Sequence, residues 1–195
     1  MGSPAVVTGS DGVLRCSWGD STADYRPYHD REWGFPVADD VVLFEKLCLE
    51  GFQAGLSWLT ILRKREAFRS AFCGFDFELV ARFGEDDVAR LLGDAGIVRH
   101  RGKIEAVINN AARALELVEA EGSLSAFAWR YEPSTSGDPS AGKPLAKELK
   151  RRGWRFVGET TVYSFMQAMG LVNDHDHACE SWAAVEAARA AFPRP

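Results

Sequence analysis

Four residues with metal-binding side chains stand in two pairs near opposite ends of the chain. Cys16 is followed by His29, and His175 is followed four residues on by Cys179. Together they make a Cys2His2 set, the composition of a closed tetrahedral zinc site with no open position for activating water. The i, i+4 spacing of the second pair predicts a helix from about His175 that puts imidazole and thiolate on one face. His177 stands at i, i+2 from Cys179 and points to another face, so His175 is the preferred ligand. The same residues also suit an ordinary core, where single cysteines and histidines are common.

A second constellation surrounds a carboxylate. Glu50 is followed closely by Trp58, and Trp18, Tyr25, Tyr28 and Trp33 crowd the segment around His29. Flat rings beside a lone carboxylate suit a pocket that stacks a planar ligand, accepts from its exocyclic amino groups and favours a cationic ring. Gln53 is either a second reader of the ligand edge or simply a turn residue. The bland alternative is that the rings fill the core and Glu50 ends a helix.

A third feature is a basic run leading into a glycine-bounded turn at residues 153–158 and then a new helix. The amides of Gly158, Thr160 and Thr161 at that helix start form a phosphate site, with Lys150, Arg151 and Arg155 nearby in sequence. The order is helix, hairpin, helix. A solvated basic helix with a plain turn is the alternative. Arg63, Lys64 and Arg65, and Arg99, Arg101 and Lys103, are further basic clusters.

The elements that must position these residues read as an all-α fold. Residues 1–13 lack periodicity and form a mobile tail, leaving 14–195 as one unit. Asp39 and Asp40 precede a helix through about Glu50, which Gly51 and Gly55 interrupt. Residues 56–72 return to helical spacing, Asp76 and Glu85 start two short helices, and 104–121 is the clearest helix. The Pro- and Ser-rich stretch 132–144 is a loop and a boundary between sub-regions, and helices start at about Leu145, Glu159 and His175.

Composition bounds the function. Of 195 residues, 46% are hydrophobic and 26% charged, enough for one folded unit. No stretch is long and apolar enough to span a bilayer and no secretion signal is visible, so a cytoplasmic protein is expected. A net charge of -5 argues against indiscriminate polyanion binding. The segment 143–155, however, has six basic residues and one acidic, Glu148. A basic strip is therefore compatible with a negative total.

Several strings carry a resemblance. Cys16-Ser17-Trp18, the blocks 28–34, 49–58, 95–104 and 153–158, and 163–168 continuing to 171–175 closely resemble the 3-methyladenine DNA glycosylase I family, in order, from about Arg15 to Cys179. The resemblance implies a helix–hairpin–helix lobe over about 35–170 and a zinc-stapled lobe built from 14–34 plus 171–195. One structural Zn2+ per chain would be held by Cys16, His29, His175 and Cys179. The base pocket would use Glu50 as catalytic carboxylate, with Trp18, Tyr25, Tyr28, Trp33 and Trp58 around the base. The implied activity is DNA repair: excision of 3-methyladenine from alkylated double-stranded DNA by hydrolysis of the N-glycosidic bond. Free 3-methyladenine is the product, and a monomer acting at the nucleoid is expected. No Lys lies at 153–161, so no lyase step is expected. Asp174, beside a proposed ligand, is either a cation stabiliser or an outer partner of the metal site. A non-catalytic DNA-binding module and an enzyme acting on a small aromatic metabolite are the rival readings.

Overall fold

The computed structural model describes residues 5–195. Two short strands, β1 (Val6–Thr8) and β2 (Leu14–Cys16), pair antiparallel with Val6 opposite Cys16. Eleven helices follow among the described residues: α1 (Tyr25–Arg31), α2 (Asp40–Gln53), α3 (Trp58–Leu62), α4 (Arg65–Ala71), α5 (Phe77–Val80), α6 (Glu85–Gly93), α7 (Arg101–Glu121), α8 (Leu124–Trp129), α9 (Gly142–Arg151), α10 (Glu159–Ala168) and α11 (Glu180–Ala191). The fold is mostly helical, as the patterning requires.

Helix α2 lies at its centre, against α3, α7, α8 and α10. Leu43, Phe44, Leu47, Leu49 and Phe52 of α2 are all buried, and Phe68, Phe72 and Phe75 close over them. Each such ring withdrawn from water contributes about 2–3 kcal/mol. The two aspartates at its start have separate tasks. Asp39 caps α2 by accepting from the amides of Val41 and Val42, both at 2.9 Å. Asp40 reaches across to cap α8, accepting from the amides of Leu124 and Ser125 at 3.0 and 2.8 Å.

Several expectations are corrected. Residues 6–8, assigned to a tail, are strand β1, because the turn at 9–13 folds them back onto β2. Gly51 does not interrupt α2 but lies inside it, where a Cβ would come 3.3 Å from the Cβ of Phe156. A close approach, not a chain break, is what that glycine permits. The stretch 56–72 is two helices separated at Arg63 and Lys64. No helix begins at His175; α11 starts at Glu180, with Cys179 as its N-cap residue. Helices α1 and α8 have no counterpart in the sequence reading, since seven and six residues are too few to display a period. No described helix is long and apolar enough to cross a membrane.

The turn between α9 and α10 is held from beneath by α7. The buried Asn110 side chain accepts from the amide of Arg155 at 2.8 Å and donates to its carbonyl at 2.9 Å, and Asn109 donates to the carbonyl of Gly153 at 2.9 Å. Glycine 142 lets α9 cross α10 closely, since a Cβ there would sit 2.9 Å from the carbonyl oxygen of Glu159.

Candidate functional site

The two chain ends do converge. Cys16 at the end of β2, His29 in α1, and His175 and Cys179 in the loop before α11 are all buried, with their donor atoms within 4.8 Å of one another. His175 Nδ1 lies 3.7 Å from the sulfurs of both Cys16 and Cys179, and His29 Nε2 lies 3.7 Å from Cys179 Sγ. A tetrahedral ion with the usual metal–ligand bond lengths sets N···S edges of about 3.6 Å, so the cluster is the right size to hold a metal. The far ring nitrogens are engaged. His29 Nδ1 donates to Asp30 at 2.8 Å and His175 Nε2 donates to the carbonyl of Trp33 at 3.0 Å. Those bonds set the tautomer that leaves an unprotonated nitrogen facing the sulfurs. Hydrogen bonding from Cys16 draws the Cys179 thiol toward thiolate, against the opposing effect of burial.

Arg15 braces this corner. Its buried guanidinium donates to Asp30 and to Asp11, so Asp30 is fixed from both sides. Burial pushes the Asp30 carboxyl up, but Arg15 and His29 outweigh it and the net displacement is downward. Asp30, not Asp174, is thus the outer partner of the cluster.

Beside the Cys2His2 cluster lies a cavity of about 470 Å³ lined by Trp18, Tyr25, Tyr28, Trp33 and Trp58 with Glu50, and by Gln53, Ser164, Gln167 and Asp174. All six residues expected around a base meet there. The rings brace one another: Trp18 stands edge-on to Tyr25 and Trp33 at centroid separations of 5.5 and 4.9 Å, and Tyr28 and Trp58 are tilted at 5.5 Å. Trp58 Nε1 is buried with no partner among the described residues. Asp174 accepts from the Tyr163 hydroxyl at 2.6 Å, from Gln167 at 2.8 Å and from the Gly137 amide at 2.8 Å, which holds its carboxylate on the cavity.

Glu50 is 6% exposed. Its Oε1 is 3.0 Å from Lys46 Nζ, one helical turn earlier on α2. That ammonium also donates to the Tyr28 hydroxyl at 2.6 Å and stands 3.4 Å from the Trp58 ring centroid. Burial pulls the Lys46 pKa below its ordinary value against the opposing pull of Glu50, while burial and then Glu50 push Tyr28 well up. The sequence reading missed Lys46, Ser164 and Gln167. Its available signals were the i, i+4 spacing of Lys46 and Glu50 and the i, i+3 spacing of the other two.

A shallower groove of about 200 Å³ joins the cavity at Glu50, Gln53 and Ser164 and is lined further out by Leu56, Thr160 and Thr161. It therefore ends at the N-terminus of α10, whose N-cap Gly158 brings no side chain to the free amides. Lys150 and Arg155 are exposed near it in sequence, but Arg151 is taken by Glu148, with bonds of 2.7 and 2.6 Å. Arg152 is shared between Glu148 and Glu121. Glu148 is held down at about 2 by hydrogen bonding from Arg151 and Arg152. The other basic clusters are largely spoken for: Arg63 pairs with Asp24, Arg65 with Glu32, and Arg101 with Glu85. Lys64 donates to the Ala95 and Gly96 carbonyls, and Lys103 turns inward to the Phe52 and Ala54 carbonyls at the end of α2.

Comparison with known proteins agrees with this geometry. The family described as methyladenine glycosylase matches residues 18–182. DNA-3-methyladenine glycosylase 1 of Escherichia coli (strain K12) is 48% identical over 177 residues, covering 85% of this chain and 95% of the relative. A crystal structure of 3-methyladenine DNA glycosylase I superposes with a TM-score of 0.80 at 46% identity, covering 85% of this chain and 98% of the other. A variant of such an enzyme, solved in complex with 3-methyladenine, gives a TM-score of 0.80 at 39% identity, covering 86% and 97%. This chain belongs to the methyladenine glycosylase family.

Proposed function

We propose that the protein excises 3-methyladenine from alkylated double-stranded DNA, acting as a monofunctional glycosylase on the N-glycosidic bond. The observation that carries this is the buried Glu50 carboxylate inside an aromatic-walled cavity of about 470 Å³ that opens onto the groove reaching α10. A purine flipped from the stack fits such a space, and duplex DNA can present a base to it in no other way.

The helix–hairpin–helix element is α9, the turn to Gly158, and α10. In this reading the amides of Gly158, Thr160 and Thr161 take backbone phosphates, with Lys150 and Arg155 adding positive charge and Arg151 held back by Glu148. Trp18, Tyr25, Tyr28, Trp33 and Trp58 enclose the base, and Glu50 accepts hydrogen bonds from its edge and favours its positive charge. Adenine alkylated at N3 is cationic, so it departs as a neutral base without being protonated. The sugar passes through an oxocarbenium-like state and water captures it. Asp174 holds a second carboxylate on the same cavity, suited to that developing cation.

The Cys16, His29, His175 and Cys179 cluster fits one structural Zn2+, because two thiolates and two imidazoles with engaged far nitrogens form a closed donor set. When bound, the ion supplies a staple between the chain ends and no reactive water. The remaining supports are indirect: a negative total charge with a local basic strip favours weak hold on undamaged DNA and selection by the flipped base.

The test is to incubate the protein with methylated duplex DNA and assay the released bases. Release of 3-methyladenine is expected; duplex binding with no release would instead favour a binding module.

A further inference from the structure

Lys46 has no task in the reading above, yet its ammonium touches three walls of the cavity at once. It donates to Tyr28 at 2.6 Å, forms an ion pair with Glu50 at 3.0 Å and lies 3.4 Å from the Trp58 ring centroid. A buried ammonium is costly unless it is paired and hydrogen-bonded. The other charges packed behind the cavity are matched among themselves. Glu32, just after α1, pairs with Arg65 of α4, and Glu45 of α2 pairs with Arg69 of α4. Tyr28 is the titratable group facing Lys46 from α1, and Asp174 is occupied by Tyr163 and Gln167. Lys46 and Glu50 are therefore each other's counter-ions.

We infer that Lys46 is a positioning residue: it ties one oxygen of the Glu50 carboxylate to the protein, and it orients the Tyr28 hydroxyl as a donor. Both parts follow from counting hydrogen bonds. Glu50 is paired with Lys46 through Oε1, at 3.0 Å. Tyr28 accepts from the ammonium, so its own proton must go elsewhere, and its ring lines the cavity. A bound base thus meets an acceptor and a donor side by side, in an orientation set before it arrives. The ion pair also leaves neither Lys46 nor Glu50 as an uncompensated buried charge. This deepens the glycosylase reading and rests on it.

The experiment compares kcat/KM for 3-methyladenine release across pH in wild type, Lys46→Met and Lys46→Arg. Removing a cation at this distance raises the pH at which a carboxylate takes up its proton by about one unit or more. Lys46→Met should keep its zinc and helical signal, lose about tenfold or more at neutral pH, and show an acid limb moved upward by about one unit. Lys46→Arg keeps the charge and should recover most of the rate with the wild-type limb. A Lys46→Met profile that matches wild type, or that falls uniformly with an unmoved limb, overturns the inference, as does failure of Lys46→Arg to rescue. Should Lys46→Met unfold, Lys46→Gln supplies the same pH comparison. Release by the wild type separates the two readings: without it the glycosylase assignment falls and the Lys46 role with it, whereas normal release with an inert Lys46 removes only the latter.

Discussion

His175 donates from Nε2 to the backbone carbonyl of Trp33, 3.0 Å away, and the two rings meet edge-on with centroids 4.6 Å apart. One residue belongs to the Cys2His2 cluster and the other to the wall of the aromatic cavity. Trp18 and His29 repeat the arrangement at 5.1 Å. The staple between the chain ends and the pocket are therefore one packed unit, and disturbance of the first should reach the second.

Cys179→Ser removes a ligand that contacts both imidazoles. Zinc content should drop well below one per chain, and Tm should fall by about 10 °C, the shift that roughly 3–4 kcal/mol produces in a chain of this size. Affinity for free 3-methyladenine should weaken in parallel. Metal analysis with thermal melts checks the first, and calorimetric titration the second; unchanged base affinity in the metal-free protein would show that the walls stand alone.

Glu50→Gln keeps the shape of the side chain and removes its charge. Excision should decline about 100-fold to 1,000-fold, the range for loss of one group that stabilises developing charge in a desolvated site. Zinc content should be unchanged. Single-turnover release from methylated DNA measures it, and near-normal rates would remove Glu50 from the chemistry.

Asn110→Ala unties the turn that α7 holds at Arg155. Two hydrogen bonds to backbone groups are lost, so stability should decrease by about 1–3 kcal/mol. Duplex affinity should weaken while free-base affinity stays close to wild type, because Asn110 does not line the cavity. Filter binding and base titration separate the two effects.

Glu148 restrains the basic strip by occupying Arg151 and Arg152. Glu148→Gln should tighten binding to undamaged duplex and steepen its salt dependence by about one to two counterions. The sign with pH follows from a folded pKa of about 2. A depressed carboxylate contributes its stabilisation fully above its unfolded value of about 4.3 and loses it as pH falls toward 2. Tm should therefore drop less between pH 5 and 3 in Glu148→Gln than in wild type.

Borohydride should not trap the protein on damaged duplex. The hairpin carries no lysine from Gly153 to Thr161, and Lys46, the lysine against the cavity walls, is held as an ion pair by Glu50. A covalent adduct on a denaturing gel would establish a lyase step.

The sequence by itself determined most of the scaffold and marked out the residues suited to chemistry. Cys16, His29, His175 and Cys179 are recognisable because few donor types suit a soft tetrahedral ion, and Glu50 with its rings because a carboxylate among aromatics has few uses. Long helices such as α2 and α7 showed because fourteen and twenty-one residues repeat their apolar spacing several times. What only the tertiary structure decided were relations between distant segments. The spacing of His175 and Cys179 looked helical, yet a loop presents both, since bringing four donor atoms together constrains where those atoms lie and not the backbone behind them. The basic clusters looked like a phosphate surface, but Glu148, Glu121, Glu32 and Asp24 neutralise several of them across the fold. Asp174 went to the cavity and Asp30 to His29 because which carboxylate meets which donor depends on packing. Lys46 became visible last: a lysine one turn from a glutamate reads as a solvated helix pair, and only burial under three cavity walls makes it part of the site.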